Sequence, residues 1–138
     1  MENNARHIVL MEDNPSDVFL FRRALDQHAV LYTLEVIRDG EKGIGVLEQI
    51  SRGRAAVPDI LVLDLNLPRH DGIEVLAKCR ALPGLGELPV MILTSSDSPR
   101  ERERARELAV TDFVRKPIML DDFMALGGRI KSLLNGER

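Results

Sequence analysis

The sequence predicts an α/β fold, a doubly wound five-stranded parallel sheet in the order 2-1-3-4-5, the flavodoxin-like arrangement. Three observations predict it. Five short apolar runs alternate with five amphipathic helical patterns, the alternation that builds strand–helix–strand crossovers. Three of the runs, ending in Met11, Leu63 and Leu93, are apolar throughout, as strands covered on both faces must be. Each of these three is followed at once by polar groups: Glu12-Asp13, Asp64 and Thr94. In open α/β sheets, ligands bind beyond the carboxyl ends of the strands.

Strand 1 is expected over His7 to Met11. Asn14-Pro15-Ser16-Asp17 then opens helix 1: Asn14 can cap, Pro15 suits the first helical position, and Asp17 favours the positive helix end. That helix turns Val18, Phe21 and Leu25 inward. Strand 2, Thr33 to Ile37, alternates apolar and polar residues, which marks an edge strand. Helix 2 follows Asp39-Gly40 and gathers Ile44, Leu47 and Ile50 on one face. Strand 3 ends at Asp64. Asp71-Gly72 opens helix 3, with Ile73, Leu76 and Ala77 on one face. Pro83, Gly84 and Gly86 make a loop before strand 4, Pro89 to Thr94. Helix 4 begins near Ser98-Pro99, strand 5 spans Thr111 to Val114, and helix 5 runs from Leu120 to Leu134. One domain over residues 1–138 is the expectation, and the tail from Asn135 to Arg138 is too short for a second.

Composition excludes several classes. A net charge of -3 gives no electrostatic footprint for nucleic acid or an anionic membrane. No apolar run is long enough to cross a bilayer, and Met1 to His7 has no signal-peptide core. Cys79 is the only cysteine, so it forms no internal disulfide and is expected as a small buried hydrophobe. A cytoplasmic protein is the simplest reading. His7, His28 and His70 have no ligand spacing and are expected at the surface or in caps. From Arg100 to Glu107, bases and acids alternate, the pattern of a solvated helix face laced with ion pairs.

The strand ends carry chemistry. Glu12, Asp13 and Asp64 crowd negative charge together, and bare carboxylates so placed raise one another's pKa. A divalent cation removes the conflict. Oxygen donors without histidine or cysteine suit Mg²⁺ or Mn²⁺. The backbone carbonyl of Asn66 is a further candidate ligand. Asp64, the central acid, is the candidate nucleophile for an aspartyl phosphate. Lys116 offers positive charge to phosphoryl oxygens, and Thr94 a hydroxyl donor. Loose phosphoryl-transfer transition states need mainly positioning and charge stabilisation, which these groups supply. At Lys116-Pro117, a cis bond is one way to aim the lysine into the site, because cis bonds are essentially confined to X-Pro. The residues alone favour a trans bond that simply ends strand 5.

Glu12-Asp13, Asp64, Thr94 and Lys116-Pro117, with Leu67-Pro68 and Asp71-Gly72, resemble the receiver domain of two-component response regulators in order and spacing over nearly the whole chain. The resemblance implies a phosphoacceptor at Asp64, metal acids at Glu12 and Asp13, a switch hydroxyl at Thr94 and a phosphate-binding lysine at Lys116. It also implies a cis-proline at Pro117 and a switch aromatic at Phe113, where tyrosine is commoner. The family's partner is a sensor histidine kinase. Met11-Glu12-Asp13-Asn14-Pro15-Ser16-Asp17 and Leu63-Asp64-Leu65-Asn66-Leu67-Pro68 are similar to the stand-alone receivers paired with phytochrome-type kinases. The expectation is a single-domain response regulator with no effector domain. It would be no enzyme in the ordinary sense, though able to take a phosphoryl group from small donors and to lose it again. The downstream partner is unspecified.

The main rival is a metal-dependent phosphohydrolase with an aspartyl nucleophile. Its common form needs an acid two positions after the nucleophile, where Asn66 stands and cannot exchange protons. A flavin module of flavodoxin type would need a glycine- and hydroxyl-rich loop where Glu12-Asp13 stands. A homodimer is expected through helix 4, strand 5 and helix 5. Gly127-Gly128 would admit a close helix neighbour, and Ile130, Leu133 and Leu134 add apolar surface.

Overall fold

A computed structural model describes residues 5–136. Met1 to Asn4 of the polar N-terminal segment, and Glu137 and Arg138 of the tail, lie outside the described residues. Strands β1 (Arg6–Met11), β2 (Tyr32–Ile37), β3 (Ile60–Leu63), β4 (Val90–Thr94) and β5 (Asp112–Arg115) alternate with α1 (Pro15–Gln27), α2 (Gly40–Ser51), α3 (Gly72–Ala81), α4 (Pro99–Glu107) and α5 (Leu120–Leu134). All pairings are parallel and the order is β2-β1-β3-β4-β5, as predicted. No helix among the described residues is long and apolar enough to cross a membrane.

Successive strand residues point to opposite faces, and this parity splits the core in two. Val9, Met11, Leu61, Leu63, Val90 and Ile92 face α2, α3 and α4. Ile8, Leu10, Ile60, Val62, Met91, Leu93 and Val114 face α1 and α5. Every residue of β3 and β4 is buried, whereas β2 alternates and forms one edge. The buried central strands therefore end in a fixed row, with Met11, Leu63 and Ile92 in register. The polar residues that follow them are carried to one end of the sheet.

Two helix faces depart from expectation. On α3 the buried residues are Gly72, Val75, Leu76 and Cys79, while Ile73 and Ala77 are only half-buried. Gly72 explains the rotation: a Cβ there would overlap the Asp64 carbonyl and the Leu65 backbone, so α3 starts pressed against the end of β3. The Asp71–Glu74 capping box fixes that start. On α5, Gly127 and Gly128 face α1 of the same chain. A Cβ on Gly127 would collide with the Ala24 carbonyl, and one on Gly128 would crowd the His28 ring. Ile130 is fully buried, and Leu133 and Leu134 pack on the same half of the core. The glycine pair thus seats α1, not a second molecule. Cys79 is a buried free thiol, as expected. The α4 face carries the ion pairs Arg106–Glu103 and Arg104–Glu107.

The helix ends reveal an economy. After α2 and α5, left-handed glycines Gly53 and Gly136 close the last turn. After α1 and α4, alanines occupy that conformation, Ala29 at φ 54° and Ala109 at φ 55°. The hydrogen bonds are those of a Schellman turn, Val30 N–H to Leu25 O and Val110 N–H to Ala105 O, each 3.1 Å. Left-handed backbone costs an L-residue about 1–2 kcal/mol, and a new glycine costs about 0.4–1 kcal/mol through the unfolded chain. Both alanines are exposed and lose no packing. Ala29→Gly and Ala109→Gly should each raise stability by about 0.5–1 kcal/mol, read as a higher urea midpoint with an unchanged slope.

Candidate functional site

The row of strand ends makes an open recess of about 400 Å³ lined by Glu12, Asp13, Asn14, Asp17, Asp64, Asn66, Ser95, Lys116, Pro117 and Ile118. Carboxylate oxygens of Glu12, Asp13 and Asp64 lie within 4.8 Å of one another. Glu12 and Asp64 are buried and Asp13 is exposed, so the cluster opens to solvent on one side. Three carboxylates at this separation, without nitrogen or sulfur donors, fit a hard divalent cation that keeps part of its water shell.

Backbone geometry holds these acids. Asp64 N–H donates to Met11 O at 3.0 Å, continuing the β1–β3 pairing one residue beyond the strand. Asn66 N–H donates to Asp64 Oδ1 at 3.1 Å, a local turn that orients the carboxylate. Glu12 Oε2 accepts from Asn14 N–H at 3.1 Å. Asn14 in turn caps α1, its Oδ1 accepting from Ser16 N–H at 2.9 Å. The first helix therefore begins as an extension of the acidic site.

Lys116 enters from β5. Its N–H donates to Thr94 O at 2.7 Å, and its Nζ stands among three carboxylates: Glu12 Oε1 at 2.7 Å, Asp17 Oδ2 at 2.7 Å and Asp64 Oδ2 at 3.0 Å. The expected cis bond before Pro117 is absent; no described peptide bond is cis. The reason is in the sheet register. The β4–β5 pairing already aims residue 116 across the strand ends, so the lysine reaches Asp64 through an ordinary trans peptide.

The site residues separate into two groups. Glu12, Asp13, Asp64, Asn66, Lys116 and Pro117 meet around the recess. Thr94 lies fully buried beside it, its Oγ1 accepting from Ser96 N–H at 3.2 Å. Phe113 is not at the recess. It packs on the α4 side of the sheet, the side of Val90 and Ile92. Strand parity puts Thr94 on that same side, two residues beyond Ile92. The Arg102 guanidinium sits over the Phe113 ring, 4.4 Å from its centre.

Two participants escaped the sequence reading. Asp17 was legible only as a first-turn helix acid, yet its carboxylate binds Lys116 across ninety-nine residues. Arg102 sat within an ordinary charged helix face. Nothing local in either stretch signals the contact.

Electrostatics follow from one cation facing several acids. Burial pushes the Glu12 carboxyl up to about 7, aided by the Asp64 charge and only partly offset by Lys116. Burial also disfavours the Lys116 ammonium, but its bonds to Asp17, Glu12 and Asp64 outweigh that and raise its pKa. The lysine thus stays charged, and burial holds the Glu12 carboxyl above the usual carboxylate range.

Comparisons with known proteins agree with this geometry. The response regulator receiver domain family matches residues 8–126. The chain is 32% identical over 131 residues to response regulator Rcp1 of Synechocystis sp., covering 94% of this chain and 89% of that protein. It is also 32% identical to the probable methanogenesis regulatory protein FilR2 of Methanothrix harundinacea, over 90% of this chain and 80% of that one. Among solved structures, the phosphorylated cyanobacterial phytochrome response regulator RcpA superposes with a TM-score of 0.85 at 31% identity, covering 95% and 94% of the two chains. The Mn²⁺-bound form of Rcp1 gives 0.82 at 32% identity, covering 92% of each chain.

The raised Glu12 pKa sets a pH dependence. The folded state holds the Glu12 proton up to about 7, whereas the unfolded carboxyl releases it near 4.5. This contribution to stability is full below the unfolded value and is lost as pH rises through the folded one. Without metal, the melting temperature should fall between pH 5 and pH 8. Added Mg²⁺ needs the carboxylate form and should raise it more at pH 8 than at pH 6. Thermal melts at three pH values, each with and without Mg²⁺, measure both slopes.

Proposed function

Because the chain belongs to the response regulator receiver family, we propose that it is a response regulator that accepts a phosphoryl group on Asp64. The observation that carries this reading is the position of Asp64. It ends the central strand, beside two further acids, and contacts the half-buried Lys116. The Asp64 oxygen attacks phosphorus as the bond to the donor breaks, and the donor, a kinase histidine or the acetate of acetyl phosphate, leaves with the electron pair. Mg²⁺ or Mn²⁺, held by Glu12, Asp13, Asp64 and the Asn66 backbone carbonyl, would neutralise charge on the phosphoryl oxygens. Lys116, in contact with Asp64, would supply further positive charge to the phosphoryl oxygens.

The signal then leaves through Thr94 and Phe113. Phosphorylation adds negative charge and acceptor oxygens at Asp64. Thr94 gives up the Ser96 amide and turns to the phosphoryl group, and Phe113 moves into the space behind it. This biases a surface made of α4, β5 and α5, and partner binding there is the output. Phe113 has no hydroxyl, so its readout is one of packing.

A sensor histidine kinase is the proposed donor, of phytochrome type, supported by the likeness to Rcp1 and RcpA. Exposed Phe19, Ile118, Met119 and Leu120 give the neighbourhood of the recess the apolar surface a protein donor needs. The proposed location is the cytoplasm, with neither nucleic acid nor membrane as partner. A homodimer through α4, β5 and α5 rests on the groove around Phe113 and on the alternating charges of α4, which a twofold axis can pair with themselves.

Acetyl phosphate and Mg²⁺ should add one phosphoryl group to the intact mass. The gain should vanish in Asp64→Asn and with excess chelator; label persisting in either case would defeat the reading. Light scattering over a concentration series, with and without beryllium fluoride, should show dimer gained with the analogue. A monomer throughout at high micromolar concentration would rule the dimer out.

A further inference from the structure

The three oxygens around Lys116 Nζ are not equivalent. Those of Glu12 and Asp64 belong to the three-acid cluster that fits a divalent cation. The Asp17 oxygen comes from the first turn of α1, outside that cluster. An ammonium has three N–H donors, so these three contacts saturate it. A cation among Glu12, Asp13 and Asp64 would draw on two of the same carboxylates and repel the ammonium. Asp17 is then the one carboxylate partner left to the lysine.

The local structure also frees Asp17 for this task. It stands at the third position of α1, where an acid commonly reaches back to the N–H of the capping residue. Here that N–H, on Asn14, already donates to Glu12 Oε2 at 3.1 Å. The Asp17 carboxylate, only partly exposed, is instead directed at Nζ at 2.7 Å.

We infer that Asp17 is a positioning residue for phosphoryl transfer, which keeps Lys116 at the rim of the site when a cation takes Glu12 and Asp64, and leaves the remaining N–H donors of the lysine to the phosphoryl oxygens. The inference rests on Asp64 as phosphoacceptor. It assigns Asp17 no contact with metal or phosphoryl group; its effect passes through Lys116.

The test measures phosphorylation rates from acetyl phosphate, by intact mass, in the wild-type chain and in Asp17→Asn, Asp17→Glu, Lys116→Met and the Asp17→Asn/Lys116→Met double variant. Asp17→Asn should lower the maximal rate at saturating Mg²⁺ and donor by roughly five- to tenfold, the effect of a lost positioning contact rather than of lost chemistry. Asp17→Glu should recover part of the rate. In the Lys116→Met background, the second substitution should change the rate by less than about twofold, since the residue through which it acts is gone. An Asp17→Asn maximal rate within about twofold of wild type overturns the inference. So does an equal fractional loss with and without Lys116, which would mark a structural effect on α1. If the wild-type chain takes no label on Asp64, both the inference and the reading beneath it fall. If the wild type labels normally and Asp17→Asn matches it, only the inference falls.

Discussion

One half-buried ammonium shared among three carboxylates governs the end of this sheet. Lys116 reaches Glu12 on β1's end, Asp64 on β3's end and Asp17 on α1, so a single side chain from β5 ties together segments spread over most of the chain. Removing the lysine would leave Glu12 and Asp64, both buried, without their cation. The arrangement is also incomplete by charge. Glu12, Asp13, Asp17 and Asp64 carry four negative charges when ionised, and Lys116 carries one positive. The remaining imbalance disposes the site to take up a proton or a cation, and the Glu12 carboxyl, pushed up chiefly by burial and further by the Asp64 charge, is raised in the same direction.

The sheet was legible because burial on both faces leaves no polar residue in β3 and none in β4 before its last residue, Thr94. The acids at the strand ends were legible for the same reason, since an unbroken apolar run makes the residue that ends it conspicuous. What sequence could not show was direction. The buried stripe of α3 is set by how closely Gly72 approaches the Asp64 carbonyl, a contact between segments. Asp17 obeys every local rule for a helix start and still spends its charge elsewhere. The geometry before Pro117 was misread because strand register supplies the aim that an unusual peptide bond was invoked to supply.

The glycine pair in α5 shows how one sequence signal admits two partners. Glycines on one helix face announce close approach without saying to what. Here the neighbour is α1: Gly127 lies against the Ala24 carbonyl and Gly128 against the ring of His28, whose Nε2 is 3.1 Å from Met124 O. Lys131 donates to His28 O at 3.1 Å and adds a second tie. The helix that bears Asp17 is thereby clamped from behind, and its first turn holds its place against the recess.

The attachment of α4 is uneven. A single residue of that helix, Ala105, is buried, so packing holds it weakly. Its far end is held instead by Arg80, whose guanidinium donates to Leu108 O at 2.9 Å and Ala109 O at 3.0 Å while also gripping Leu85 O and Leu88 O. Its near end leaves the loop after Thr94 through a Ser98 cap. Held at its far end by one guanidinium and near its start by the Ser98 cap and by Arg102 over Phe113, α4 buries fewer residues than any of the other four helices, so it is the helix whose displacement would disturb the least packing.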